Sequence, residues 1–181
     1  MYYGFSSMDH AAICSRVAWL LEKGVFRYGG IKLETKEYDV QAPLATPLMS
    51  ALIRAQWFDG TKGDRPAYHA IMKLKSIPKE TVILCFTVTE CVLKCWQGGS
   101  FTRVNFSEDN CSTRYNFFLD TWNELETNAP SYTKRILSQN FIRTLKHTKN
   151  SSLLHSEEDV RRDIVGINFE ALNSLDGDLI S

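Results

Sequence analysis

The run TVILCFTVTECVLKCW (residues 81–96), with QGGS (97–100) and FTRVNF (101–106) behind it, decides how the middle of this chain is read. Val82, Leu84, Phe86 and Val88 fall on one side at a spacing of two, with Cys85 on the other, which is the signature of a β-strand. Gln97, Gly98, Gly99 and Ser100 supply a turn, and Phe101–Phe106 returns as a second strand. The expectation is a β-hairpin over 81–106.

Upstream, Pro78 closes an alternating stretch from Ala67 to Leu74, in which Tyr68, Ala70, Met72 and Leu74 alternate with His69, Ile71, Lys73 and Lys75. That spacing predicts another strand. Thr46-Pro47 is a helix start, because proline at the first turn needs no donor and has its φ preset. Leu48, Ala51, Leu52 and Ala55 form the expected buried face of a helix ending near Trp57 or Phe58. Before it, Gly29-Gly30 opens a strand in which Ile31, Leu33 and Thr35 alternate with Lys32, Glu34 and Lys36. At the front of the chain Asp9 caps a predicted helix from His10 to Lys23, with Ile13, Val17, Leu20 and Leu21 on one face and Gly24 at the stop.

The last third reads as helical. A helix over Tyr115–Glu126 carries Phe117, Phe118 and Trp122, and Pro130 separates it from a helix that Ser131 caps and that runs to about Lys149. Ile136, Leu137, Phe141 and Leu145 point inward on that helix. After Asn150-Ser151-Ser152, SEEDVRRDIVGINFEAL opens with a capping sequence and fades into DGDLIS. The expected class is α+β, a small antiparallel β-sheet packed with helices. Residues 1–155 form a single globular domain, and 156–181 form an acidic C-terminal helix or tail that could pack on it.

Composition sets the outer limits. The chain has 181 residues, 44% hydrophobic and 23% charged, which is globular composition with enough length for a core. Lys and Arg balance Asp and Glu at 21 each, so attraction to nucleic acid or membrane has to come from a local patch. Cys14, Cys85, Cys91, Cys95 and Cys111 are odd in number and contain no C-x-x-C pair, which fits free thiols in a reducing compartment. No secretion signal is visible. The apolar stretch Ala11–Leu21 is interrupted by Arg16 and is too short to span a bilayer, so the chain reads as cytosolic.

Sites of chemistry are sparse. QWFDGTKGDRPAYHA (56–70) gathers Gly60, Lys62, Gly63, Asp64 and Arg65, but its glycine spacing is not that of a phosphate loop and a strand is expected after it. It reads as a solvated connection. His10, His69, His147 and His155 show no zinc-ligand spacing, no G-x-S-x-G elbow occurs, and Glu157, Glu158 and Asp159 suit the positive end of a helix without any catalytic role. No cofactor and no metal is expected.

Charge is unevenly placed. Lys134, Arg135, Arg143, Lys146 and Lys149 occur with no acid among them, a local charge of +5, whereas Ser156 to the end carries −5. One reading is a solvated helix paired with the acidic tail. The other is a patch for a nucleocapsid or an anionic lipid surface.

KLETKEYDV (32–40), LMSALIRAQWFDG (48–60) and KGDRPAYHAIMKL (62–74) together resemble the matrix proteins of rhabdoviruses. Trp57 and Asp59, followed by Arg65, Pro66 and Tyr68, look like that family's helix exit and strand entry. The resemblance covers about a quarter of the chain. It implies a non-enzymatic structural protein of the virion and host cytoplasm that self-associates, condenses the nucleocapsid, lines the inner membrane face peripherally and drives budding, with host factors as further partners. The chain departs from the animal-virus pattern in lacking a Lys-rich N-terminal arm, a P-P-x-Y or P-[ST]-A-P motif, and a long apolar loop where KSIPKE stands. Two rivals stand beside this expectation: a small transferase or hydrolase using Arg65 and His69, and a host-binding adaptor or inhibitor acting through the acidic tail.

Overall fold

A computed structural model describes residues 2–58, 71, 73 and 75–146. Among them are five α-helices and one two-stranded antiparallel sheet: α1 His10–Leu21, β1 Gly29–Lys32, β2 Glu37–Asp39, α2 Leu48–Ile53, α3 Lys79–Cys95, α4 Glu108–Asn128 and α5 Pro130–Lys146. The architecture is α+β and mostly helical.

The local signals at the front of the chain hold. The Asp9 side chain accepts from the Ala12 N–H at 2.8 Å and so caps α1, while Ile13, Val17 and Leu20 are buried. Regular helix ends at Leu21 and tightens into 3₁₀ turns over Glu22–Arg27, with Gly24 at φ +67, a value that only glycine adopts without strain. The strand expected from Gly29 is instead a complete hairpin. Gly29 pairs with Asp39 and Lys32 with Glu37, the register shifting between them, and Leu33–Lys36 form the turn.

The hairpin expected over 81–106 is not formed. Residues 79–95 are a 17-residue α-helix, and Phe101–Phe106 belongs to no regular element. Burial explains the helix. Val82, Phe86 and Leu93 share one stripe at helical spacing with Ile83 beside them, all 1% exposed or less. Full burial of four such side chains contributes about 1.5–3 kcal/mol each. The β-branched residues of α3 cost roughly 0.5 kcal/mol each against alanine, so burial wins. Thr87 and Thr89 turn their hydroxyls back onto the carbonyls of Ile83 and Cys85, at 3.0 and 2.7 Å, which satisfies them inside the helix.

Helix α3 packs on α1, α2 and α4, and α5 on α2 and α4. Phe26, Phe86 and Phe118 meet at the centre with ring centroids 6.1–6.4 Å apart, beside the fully buried Trp122. Helix α2 begins behind Pro47 as expected and unwinds into a π-turn over Arg54–Phe58. Its deepest residues are Met49 and Ile53, whereas Ala51 and Leu52 are half-buried and Ala55 is exposed. Leu48 is buried as expected, but the rest of the face is rotated onto Met49, Ser50 and Ile53, because α2 packs against both α3 and α5. Helix α4 starts seven residues ahead of the expected Tyr115. The strand expected over 67–74 lies outside the described residues except at Ile71 and Lys73, where the backbone is helical. No helix among the described residues is long and apolar enough to cross a membrane.

Candidate interaction surface

Helix α5 presents the basic side chains singled out above. Ile136, Asn140, Phe141, Thr144 and Leu145 turn inward, and that fixes which residues turn out: Lys134, Arg135, Arg143 and Lys146 are all exposed. They come as two pairs near opposite ends of the helix, about 12 Å apart along its axis at 1.5 Å per residue. The Arg135 guanidinium lies 5.1 Å from the Tyr132 ring centroid, and Tyr132 in turn donates its hydroxyl to the Pro43 carbonyl. No acid occurs on α5. Among the large apolar side chains exposed in the described residues, none belongs to this helix. Leu137, expected to point inward, is half-buried. Lys149 lies outside the described residues, as do residues 156–181, the acidic tail.

Of the corner thought to mark the matrix-like family, only Trp57 is described, half-buried at the end of the π-turn and packed against the core. Asp59, Arg65, Pro66 and Tyr68 lie outside the described residues, and so does His69 of the rival enzyme site.

Three features had no signal in the sequence. Glu90, buried on α3, accepts from Arg114 of α4 at 2.8 and 3.0 Å and pairs with Lys94 at 2.8 Å. Burial alone would raise its carboxyl; the bonds and charges of the two cations outweigh that and hold it below its ordinary value. Arg114 also lies over Phe117 and Phe118, 4.5 and 5.0 Å from the ring centroids. Beside this network Cys91 and Cys111 face the same small recess. The five cysteines are free thiols, and burial pushes Cys85 up to about 11, a core thiol with no nucleophilic character at neutral pH.

The second feature is a cleft of about 230 Å³ between Arg27, Tyr28, Pro43, Thr121, Glu124 and Asn128. The Arg27 side chain is tied to the carbonyls of Gly24 and Lys23 at its edge. An apolar cleft of about 190 Å³ is the third, walled by Tyr2, Leu52, Val88, Val92 and Trp96 among others. Among the described residues no three His, Cys, Asp or Glu side chains are grouped to hold a metal ion.

Searches among characterised proteins and among solved structures return no match. One family does match, over residues 1–125, a span that ends inside α4. Helix α5 and its basic residues therefore lie past the matched stretch, even though Ile136, Phe141 and Leu145 complete the core. With more than half of its length covered, the chain belongs to the DUF6532 family, a domain of unknown function.

Proposed function

We propose that this protein is a non-catalytic interaction module that attaches peripherally to an anionic surface through the outer face of α5. The observation supporting this is the set Lys134, Arg135, Arg143 and Lys146, all exposed on one acid-free helix whose opposite side is buried in the core. Each such charge contributes about 1 kcal/mol near an anionic lipid surface, so four are enough for reversible attachment. Because the exposed large apolar side chains lie elsewhere, attachment is electrostatic, without insertion, and falls steeply with salt.

The viral matrix-type form of this reading adds self-association and bridging of a nucleocapsid to the inner membrane face. It rests on the resemblance over residues 32–74. The same cationic face would serve either the lipid or the nucleocapsid contact.

Co-sedimentation with phosphatidylserine-containing vesicles tests the attachment. Binding is expected at low salt and lost as salt rises, and the triple reversal Lys134→Glu, Arg143→Glu, Lys146→Glu abolishes it while circular dichroism stays unchanged. A folded triple variant that still sediments with the vesicles removes α5 from the reading. Equal binding to neutral phosphatidylcholine vesicles removes the electrostatic mechanism.

A further inference from the structure

Residues 101–106 combine a strand-like sequence with no partner. All six are exposed, and Phe101, Val104 and Phe106 keep 57%, 39% and 48% of their surface in contact with solvent. The backbone is nevertheless anchored on one side. The Thr102 N–H donates to the Cys95 carbonyl at 2.7 Å and the Val104 N–H to Cys95 Sγ at 3.3 Å. Amides two residues apart that meet one inner residue are the mark of extended chain, whose N–H and C=O groups point alternately to opposite sides. The N–H groups of Arg103 and Asn105 therefore face away from the domain, and among the described residues neither donates a hydrogen bond, while the Asn105 carbonyl accepts one from Asn110 Nδ2 at 3.2 Å. This is an open edge, and open edges recruit strands.

We infer that this edge pairs with the same segment of a second copy of the chain, antiparallel, about a two-fold axis at Val104. Only registers that set a residue opposite its own copy, or pair residues an even number apart, keep facing side chains on one side of a symmetric ribbon. Centring on Arg103 would oppose two guanidinium groups. Centring on Val104 places Arg103 opposite Asn105 and Thr102 opposite Phe106, with no like charges facing and an apolar pair on the axis.

In that register the outward residues Arg103 and Asn105 of each copy become the hydrogen-bonded pairs, giving four backbone bonds, two of them to Asn105 carbonyls that share or exchange their bond from the Asn110 side-chain amide. Val104 facing Val104 becomes the closely spaced non-hydrogen-bonded pair. The inward amides stay on Cys95. Arg114 lines the recess that Val104 also lines and covers the exposed Phe117, which extends the apolar surface beside the edge. Two copies of a chain with a formal net charge of zero meet without long-range repulsion. The contact is small, so the dimer is weak and concentration-dependent.

Sedimentation equilibrium of the full chain over a wide concentration range tests this. The expected result is a reversible monomer–dimer equilibrium, weakened tenfold or more by Val104→Lys with melting temperature unchanged. Under oxidised glutathione, Val104→Cys is expected to yield a covalent dimer, whereas Arg103→Cys and the wild-type chain do not. A chain that remains monomeric throughout overturns the proposal. So does a Val104→Lys variant that associates like wild type, or cross-linking that is equal at positions 103 and 104.

Discussion

Helix α3 and the segment 101–106 have nearly the same kind of sequence and opposite fates. Both are rich in β-branched and aromatic residues, and both are expected to be strands of one hairpin. The first became a helix packed against three others; the second belongs to no regular element and lies on the surface, with only the Thr102 and Val104 amides bonded among the described residues. The difference shows that β-propensity is a statement about fitting a pleated, half-buried surface. Where helices supply the burial, the same residues fold as helix. Where nothing covers them, they stay on the surface outside any regular element.

The sharpest break of this comparison is Phe86→Ala. It empties the centre of the Phe26–Phe86–Phe118 cluster and is expected to cost about 3–5 kcal/mol in chemical denaturation. A loss under 1 kcal/mol would mean that α3 is not the core helix described.

Glu90→Ala is expected to cost about 2 kcal/mol, less than for a fully buried pair, because Lys94 and Arg114 reach solvent once the carboxylate is gone. The Glu90 carboxyl sits below its ordinary 4.5 in the folded chain, so the fold favours its charged form. Its contribution is complete above about pH 4.5 and disappears as pH falls through the folded value. The wild-type and Glu90→Ala stability curves should therefore converge on acidification and differ by a constant amount near neutrality.

Asp9→Ala removes one capping bond and should cost about 1 kcal/mol, with α1 fraying first in hydrogen exchange. The smallest effect is the counterpart of the largest. Phe101→Ala is expected to change monomer stability by no more than about 0.5 kcal/mol, because its ring is mostly in water. A large loss there would show that the surface segment belongs to the core after all, and the contrast with α3 would collapse.

The reasons α3 was illegible are specific. A buried helix is normally betrayed by polar residues along its outer stripe. The outer stripe of α3 is Leu84, Val88 and Val92, as apolar as the inner one, so the period of 3.6 is erased and only alternation remains visible. Its one buried carboxylate, Glu90, takes its cations from Lys94 one turn on and from Arg114 on another helix, and no spacing in the sequence connects position 90 with 114. The hairpin Gly29–Asp39 was read as one strand because its turn, Leu33–Lys36, lacks glycine and proline; Lys36 itself takes the left-handed conformation at φ +55. The basic face of α5 was legible, since Ile136, Phe141 and Leu145 mark the inward side and the cations follow on the outer one.

By itself the sequence determined what is encoded within a few residues. The Asp9 cap, the stop at Gly24, the helix start after Pro47, the break at Pro130 and the charge on α5 are all local, because a cap or a proline acts through its own backbone. Tertiary structure alone decided the state of residues 79–106. An apolar run with no polar face satisfies strand and helix equally, and the choice went to the arrangement in which α1, α2 and α4 bury it. The segment behind it was left exposed and in no regular element.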